Sequence, residues 1–503
     1  MDFFSLKPLT TLPAPAFADA AGAQAWLSQQ KRSPGRFFDA AVEQLERLQG
    51  LSDAGFTRAQ ILETLRHETL VALAANRQRF AWHPRPLRPV ASAALNSNLR
   101  LWSAMSTGYM QCTEGLAATP GTDPSWVAVA AHRAMTAVKL AIEDHFFAGV
   151  EPPALLWQRA LSIAQMTQAF GISDLPVADP CMPDLGQSTS LHLYAILALT
   201  AFADPFSMNA TEYAMLQRLL IRWRDLPKLA ATRGGDDKER WIDLRQLEQP
   251  PRDASKDPAW MEISLVRSKI KKRAEALETG ESPESLHLGK DLSGPQWIAM
   301  LNRVRRKWRD SYEPPAPHDP KASDVVFVTA TVEDGFGLIT GFRYNANPKA
   351  GAASDKVLHE RMAIFGRNSI ISDLASDKPK LGEEWVFGFE DENGLRISSP
   401  VDAVRIGLQV GQLVTIKRGS VPQIGKTVRA VTRQNGRMEA SILLFQGAPV
   451  ATESHALLAG GQLHYPLLLL PPVPEIQQPM VAFLDAEAQV SSRLALQLNL
   501  QNP

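Results

Sequence analysis

WVFGFEDENGLRI (385–397), GQLVTIKRG (411–419), IGKTVRAVTRQNG (424–436) and RMEASILLF (437–445) form the stretch that decides the fold of this chain. Val, Ile and Thr fill short runs, and glycine interrupts them. Asn393-Gly394 and Asn435-Gly436 stand where paired strands would reverse, because asparagine and glycine tolerate the positive φ of tight hairpin turns. The stretch therefore predicts a small antiparallel barrel. Trp385, Phe387, Leu413, Ile416, Val428, Ile442 and Leu444 are its expected core, each lying on a period-two apolar face or in a short apolar run.

The rest of the chain bounds what surrounds that barrel. With 503 residues it is too long for one core, and the usual domain size suggests about three domains. Hydrophobic residues make up 45%, a globular composition, and 53 basic against 53 acidic residues leave no net charge to draw in nucleic acid or anionic lipid. An electrostatic partner must meet a local patch. Cys112 and Cys181 have no metal-ligand spacing and make no disulfide framework, which fits a reducing cytoplasm and buried structural thiols. The opening MDFFSLKPLTTLPAP has an acid at position 2 and prolines where a signal peptide needs a basic start and an apolar run. Nowhere does an apolar run reach the about 18 residues of a membrane helix, and Leu467 to Leu470, which stops at Pro471, reads as a buried edge strand. The expectation is a cytoplasmic protein without membrane insertion.

After a partly disordered leader (1–30), residues 31–230 carry helical periodicity. Phe38, Val42, Leu45 and Leu48 recur at three- and four-residue steps, as do Ile61, Leu65 and Leu73, and the pattern continues from Trp126 to Phe147 and through three further segments to Trp223. Breaks such as ATPGTDPS (118–125) and SDLPVADPCMPD (173–184) separate them. Helices of that length must pack on one another, so this region is an all-α bundle or a helix-pair array displaying a partner groove. His67, His83, His132, His145 and His192 fall on separate elements, and His67 with Glu63 is an ordinary helix-surface spacing. No GxSxG, P-loop or GxGxxG is present, so no catalytic residue, metal site or cofactor is expected and the chain does not read as an enzyme.

Residues 231–311 read as a junction with a short strand (Trp241 to Leu244) and two helices. Ile263, Val266, Ile270 and Leu277 mark the first, with Lys269, Lys271, Lys272 and Arg273 outward. Pro295 suits the first turn of the second, Trp297, Leu301, Val304 and Trp308 form its stripe, and Arg303, Arg305, Arg306, Lys307 and Arg309 cover the remainder. Such basic faces are ordinarily solvated, yet converging guanidinium groups also suit phosphate or acidic partners. The barrel occupies 312–450, its first strand expected from Val325 to Val332, with an insertion at 343–381 in which Met362 and Ile364 of HERMAIFG face inward. An extension with strands (451–503) caps it. The fold class is α+β multidomain.

The order of a Trp-led strand, a glycine turn, a GQLV strand, an IG-led strand and a final strand ending LLF resembles the PilZ domain, the bacterial module that typically binds cyclic di-GMP. ALTAFADPFSMNATEY (198–213) and ESPESLHLGKDLSGPQWIAMLNRVRRKW (281–308) extend the resemblance, across residues 30 to 475, to long betaproteobacterial-type proteins in which a helical region precedes such a barrel. The resemblance implies cyclic di-GMP as a regulatory ligand, held by RxxxR before the first strand and D/NxSxxG on a later one. Arginines would fork onto phosphates, the acid or amide and serine would bond a guanine, and glycine would let the backbone approach. This chain departs from both motifs. Glu313 to Asp324 contains no arginine, the RxxxR spacing falls at Arg305 and Arg309 on the preceding helix, and with Gly394 at the glycine position Phe389 and Asp391 replace the acid or amide and the serine. Arg305, Arg306, Arg309 and Gly394 remain as nucleotide-binding candidates, with Arg418 and Arg429 as additional phosphate contacts. The expected function is a noncatalytic PilZ-like signalling adaptor acting through a protein partner, with weak or absent cyclic di-GMP binding. The alternatives are a true receptor with a shifted arginine site, and nucleic-acid binding by the basic helix at 303–309.

Overall fold

Proline, asparagine and alanine set the helical frame. The computed structural model describes residues 13–30, 34–50, 55–235, 240–247, 260–308, 325–341, 344, 382–391, 394–399, 404–458, 461–473 and 480–483. The chain divides into two units, residues 1–83 with 87–315, and residues 84–86 with 316–503. In the first run α1 (Ala20–Gln30), α2 (Pro34–Leu48), α3 (Phe56–Arg77), α4 (Pro89–Ala118), α5 (Pro124–Ala148), α6 (Ala154–Ala169), α7 (Ser190–Phe202) and α8 (Ala210–Arg222), with the small β1 (Val177–Ala178) and β2 (Gln187–Ser188) pair between α6 and α7. Asp123 accepts from the Ser125 N–H to start α5, and Gly149, at φ 67°, ends it in the left-handed conformation that glycine adopts without cost. Asn209 and Glu212 close a capping box on α8.

Alanine and serine along α4 and α5 let these two long helices lie close together, and α5 is buried nearly all round, as a central helix must be. The segment expected as a junction contributes to the same unit. β3 (Lys228–Ala230), just before it, and its own β4 (Trp241–Asp243) and β5 (Trp260–Glu262) pair in the order β3-β5-β4, followed by α9 (Ser264–Glu278) and α10 (Gly294–Lys307). Trp297, Leu301, Val304 and Trp308 are buried in the helical core as the stripe requires, and the Trp308 indole donates to the Leu199 carbonyl at 3.0 Å. That bond satisfies the polar end of a wholly buried ring.

The second unit holds the barrel. Strands β6 (Val325–Thr329), β7 (Glu383–Asp391), β8 (Gly394–Ser398), β9 (Leu413–Arg418), β10 (Val421–Thr432) and β11 (Met438–Leu444) close in the order β10-β11-β8-β7-β6-β9, every pair antiparallel. Closure removes the unpaired edges that invite association. Trp385, Ile416 and Ile442 are buried as expected, whereas Phe387, Leu413, Val428 and Leu444 are half-buried, Leu413 belonging to a second, smaller cluster.

Two expectations are corrected here. The first strand ends at Thr329 rather than Val332, because the Thr331 hydroxyl accepts from the Asp334 N–H and starts α11 (Val332–Thr340). The run Leu467 to Leu470 is buried but is no edge: it ends β13 (Gly461–Leu470), the middle strand between β12 (Val450–Leu458) and β14 (Val481–Phe483). Leu468 and Leu470 join Val332 and Ile424 in one cluster, so α11 is the apolar wedge between this sheet and the barrel. Gly335 permits that approach, since a Cβ there would lie 2.5 Å from the Thr415 hydroxyl oxygen. Met362, Ile364 and most of the 343–381 insertion lie outside the described residues.

Candidate functional site

On the barrel, the resemblance to PilZ domains would set the second ligand motif at Phe389, Asp391 and Gly394. Continuous pairing of β7 with β8 would put Phe389 on the core face, opposite Leu395. A bulge between Phe387 and Phe389 pairs it with Arg396 instead, turning its ring outward. Arg396 then lays its guanidinium over that ring, 4.4 Å from the centroid, a cation–π contact that the quadrupole of the ring favours. Phe389, which the resemblance would set where an acid or amide bonds a guanine, is thus a ring covered by an arginine of the same barrel. Arg418, suggested as a phosphate contact, stands 3.9 Å from the centroid of Phe387. Arg429 lies 3.9 Å from Glu439, which also accepts from Arg433 at 2.7 Å.

Gly394 is held by the barrel itself. Its φ is 113°, and a Cβ would come 2.4 Å from the Ile442 carbonyl oxygen and 3.1 Å from the Leu443 Cα. Glycine is required there by the close approach of β11, whatever binds outside. Asp391 pairs with Gly394 along the backbone.

Of the arginines singled out on α10, Arg305 and Arg306 line an open groove of about 570 Å³ between α9 and α10, together with Lys271, Glu275, Glu278 and Asn302. Arg309 lies outside the described residues. Three other basic side chains of these two helices have partners. Arg303 pairs with Glu212 at 2.9 Å, Lys307 with Asp204 at 3.4 Å, and Arg273 covers the Trp223 ring at 4.8 Å. The buried Arg267, absent from the sequence-based candidates, donates to the carbonyls of Arg305 and Trp308 and so closes the C-terminus of α10. Arg305 and Arg306 therefore belong to the first unit and Gly394 to the second.

A set of ionisable groups inside the helical unit is paired within itself. Arg66 forks onto Asp179 at 2.7 and 2.6 Å, Arg133 adds 3.2 Å contacts to Asp179 and Glu63, and Tyr109 donates to Glu63 at 2.7 Å. Burial would raise the Asp179 carboxyl, but the two arginines outweigh it and hold it below the usual carboxylate range. His132 sits 2.9 Å from the Ser188 hydroxyl, and burial, aided by Arg133, pushes it down to about 3, so it is neutral. His145 has no partner for either ring nitrogen and is likewise pushed down to about 3 by burial. His67 neighbours Glu68 at 3.7 Å rather than Glu63. This is an architecture of mutual satisfaction, tying α3, α4 and α5 to the β1–β2 loop. No trio of His, Cys, Asp or Glu arranged for a metal occurs among the described residues. Cys112 is buried and Cys181 half-buried, both as free thiols. Sequence reading also passed over Arg85, whose N–H and carbonyl both bond Leu408 at 2.8 Å within the second unit, and whose buried Nε and Nη2 lack partners. Desolvation brings its guanidinium down to about 10. Nothing in its spacing in HPRPLR signals that burial.

Residues 20–232 match the family model described as the cyclic-di-GMP receptor FimW, N-terminal domain. Together with the closed six-stranded barrel, the match agrees with a PilZ-family protein whose helical region precedes the barrel. No curated protein and no solved structure matches the chain. No helix among the described residues is long and apolar enough to cross a membrane.

Proposed function

We propose that this chain, whose helical region matches a cyclic-di-GMP receptor family, is a noncatalytic cytoplasmic adaptor of cyclic di-GMP signalling that acts through a protein partner and whose barrel holds the dinucleotide weakly or not at all at the usual PilZ surface. The observation that carries this reading is Phe389. Its outward ring lies under Arg396 where an acid or amide would read a guanine, and a phenylalanine accepts no base hydrogen bond. The lead-in arginines are missing as well, and Gly394 is accounted for by β11. Losing several charge-assisted contacts of about 1.5–3 kcal/mol each moves a micromolar site past millimolar.

Isothermal titration of the full chain with cyclic di-GMP tests the reading. The expected result is no saturable heat at micromolar ligand. Micromolar binding abolished by Arg305→Ala/Arg306→Ala would move the site to the α9–α10 groove, and micromolar binding indifferent to that change would return it to the barrel and overturn the reading. A nucleic-acid role for α10 is not favoured, because Arg303 and Lys307 are engaged by Glu212 and Asp204.

A further inference from the structure

Two bulges, on strands separated by two others, place side chains in one row on the outer face of the barrel. The bulge at Gly388 turns Phe389 outward onto Arg396. On β10, continuous pairing after Thr427 and Ile442 would set Arg429 against Ala440 in the core, but a bulge at Val428 sets it against Ser441. Ser441 is itself the direct partner of Arg396. Phe389, Arg396, Ser441 and Arg429 therefore run across β7, β8, β11 and β10 as consecutive cross-strand neighbours, and Arg396 and Arg429 stand two strand spacings, about 10 Å, apart. Their chain neighbours Leu395, Ile397, Ala430, Ala440 and Ile442 are the barrel core, so the row faces away from it. Bulges recur where a side chain must be re-aimed for function.

The chemistry of the row is that of a carboxylate receptor. One carboxylate is already there: Glu439 takes Arg433 at 2.7 Å and Arg429 at 3.9 Å. Burial would raise its pKa, yet Arg433, Arg429 and Arg396 together hold it below the usual range. Two arginines thus pair with one acid, and a third acts on it from farther off. Arg396 is the one left over: among the described residues no carboxylate pairs with it, its Nε is buried without a hydrogen-bond partner, and its guanidinium rests on Phe389. A guanidinium fixed against a ring has already lost its rotamer freedom, so its remaining donors meet an incoming anion at little further entropic cost.

We propose that this row is the docking surface for an acidic segment of a partner protein, whose carboxylates pair with Arg396 first and with the shared field of Arg429 and Arg433. The inference rests on the adaptor reading and specifies the chemistry of the partner. It is tested on the full chain with a fluorescein-labelled peptide of alternating glutamate and alanine, by fluorescence anisotropy at low and high salt. The expected results are saturable binding that weakens with salt, a loss of about tenfold or more in Arg396→Gln, and partial recovery in Arg396→Lys, which keeps the charge but not the fork. Phe389→Leu, which removes the ring but little volume, should weaken binding with the fold unchanged, and Lys426→Gln, outside the row, should leave it as it was. No binding, or equal binding by the native chain and Arg396→Gln, overturns the proposal. If the peptide fails while cyclic di-GMP also gives no heat, the row is wrong and the adaptor reading stands. If cyclic di-GMP binds at micromolar concentration and displaces the peptide, the row stands as an anion site and the adaptor reading falls.

Discussion

Replacing Gly394 with alanine separates a glycine kept for a ligand from a glycine kept for the barrel. At φ 113° an L-residue is strained by about 1–3 kcal/mol. The added methyl would also meet the Ile442 carbonyl oxygen at 2.4 Å and the Leu443 Cα at 3.1 Å, both backbone atoms of β11 that no rotamer change can move. Overpacking of that kind adds about 1–3 kcal/mol, so the expected loss is about 2–6 kcal/mol. The chain has two units, so a single melting temperature would mix their transitions. Hydrogen exchange of a peptide covering β11, residues 438–444, reads the barrel alone. A loss of 3 kcal/mol speeds its exchange about a hundredfold, since each tenfold corresponds to about 1.4 kcal/mol. This should occur without any nucleotide present, while exchange in α4 and α5 stays unchanged. Native-like protection of β11 in Gly394→Ala would refute the packing argument and return the glycine to the ligand.

Three other outcomes concern ionisable groups of the helical unit. Asp179→Asn leaves Arg66 and Arg133 facing each other without their carboxylate and should cost about 3–5 kcal/mol in urea unfolding of the helical unit, whereas an unchanged midpoint would show that water replaces the ion pair. His132 and His145 have folded pKa values of about 3, below the ordinary 6.5, so each stabilises fully above pH 6.5 and loses that stabilisation as pH falls towards 3; at pH 4.5 each should subtract about 3 kcal/mol. His145→Leu should flatten that acid slope while holding at pH 7, although Asp144 beside it, whose carboxyl burial pushes up, opposes the trend; an unaltered slope would mean that His145 does not titrate in this range. Arg305→Ala/Arg306→Ala should leave stability within about 0.5 kcal/mol, as neither side chain supports the core, and a larger loss in thermal unfolding would contradict the open-groove geometry.

Period and punctuation were enough to give the two architectures. The 3.6-residue stripes of α8 and α10 and the period-two runs of β9 and β11 are local consequences of which face must be dry, and Trp297, Trp308, Trp385 and Ile442 went where those periods sent them. The loss of the D/NxSxxG and RxxxR side chains was equally legible, being a matter of residue identity. Register was decided only in three dimensions. A bulge shifts parity by one, so that Phe389 and Arg429 point away from the core although alternation along their strands would turn them in, and no composition signals whether a glycine or a valine is the extra residue. Long-range neutralisation was hidden in the same way: the partners of Arg66, Arg303 and Lys307 lie 113, 91 and 103 positions away in the sequence, at distances set by helix packing alone. Local propensity fixes what a segment becomes, whereas the side chain that faces it is fixed by packing between segments.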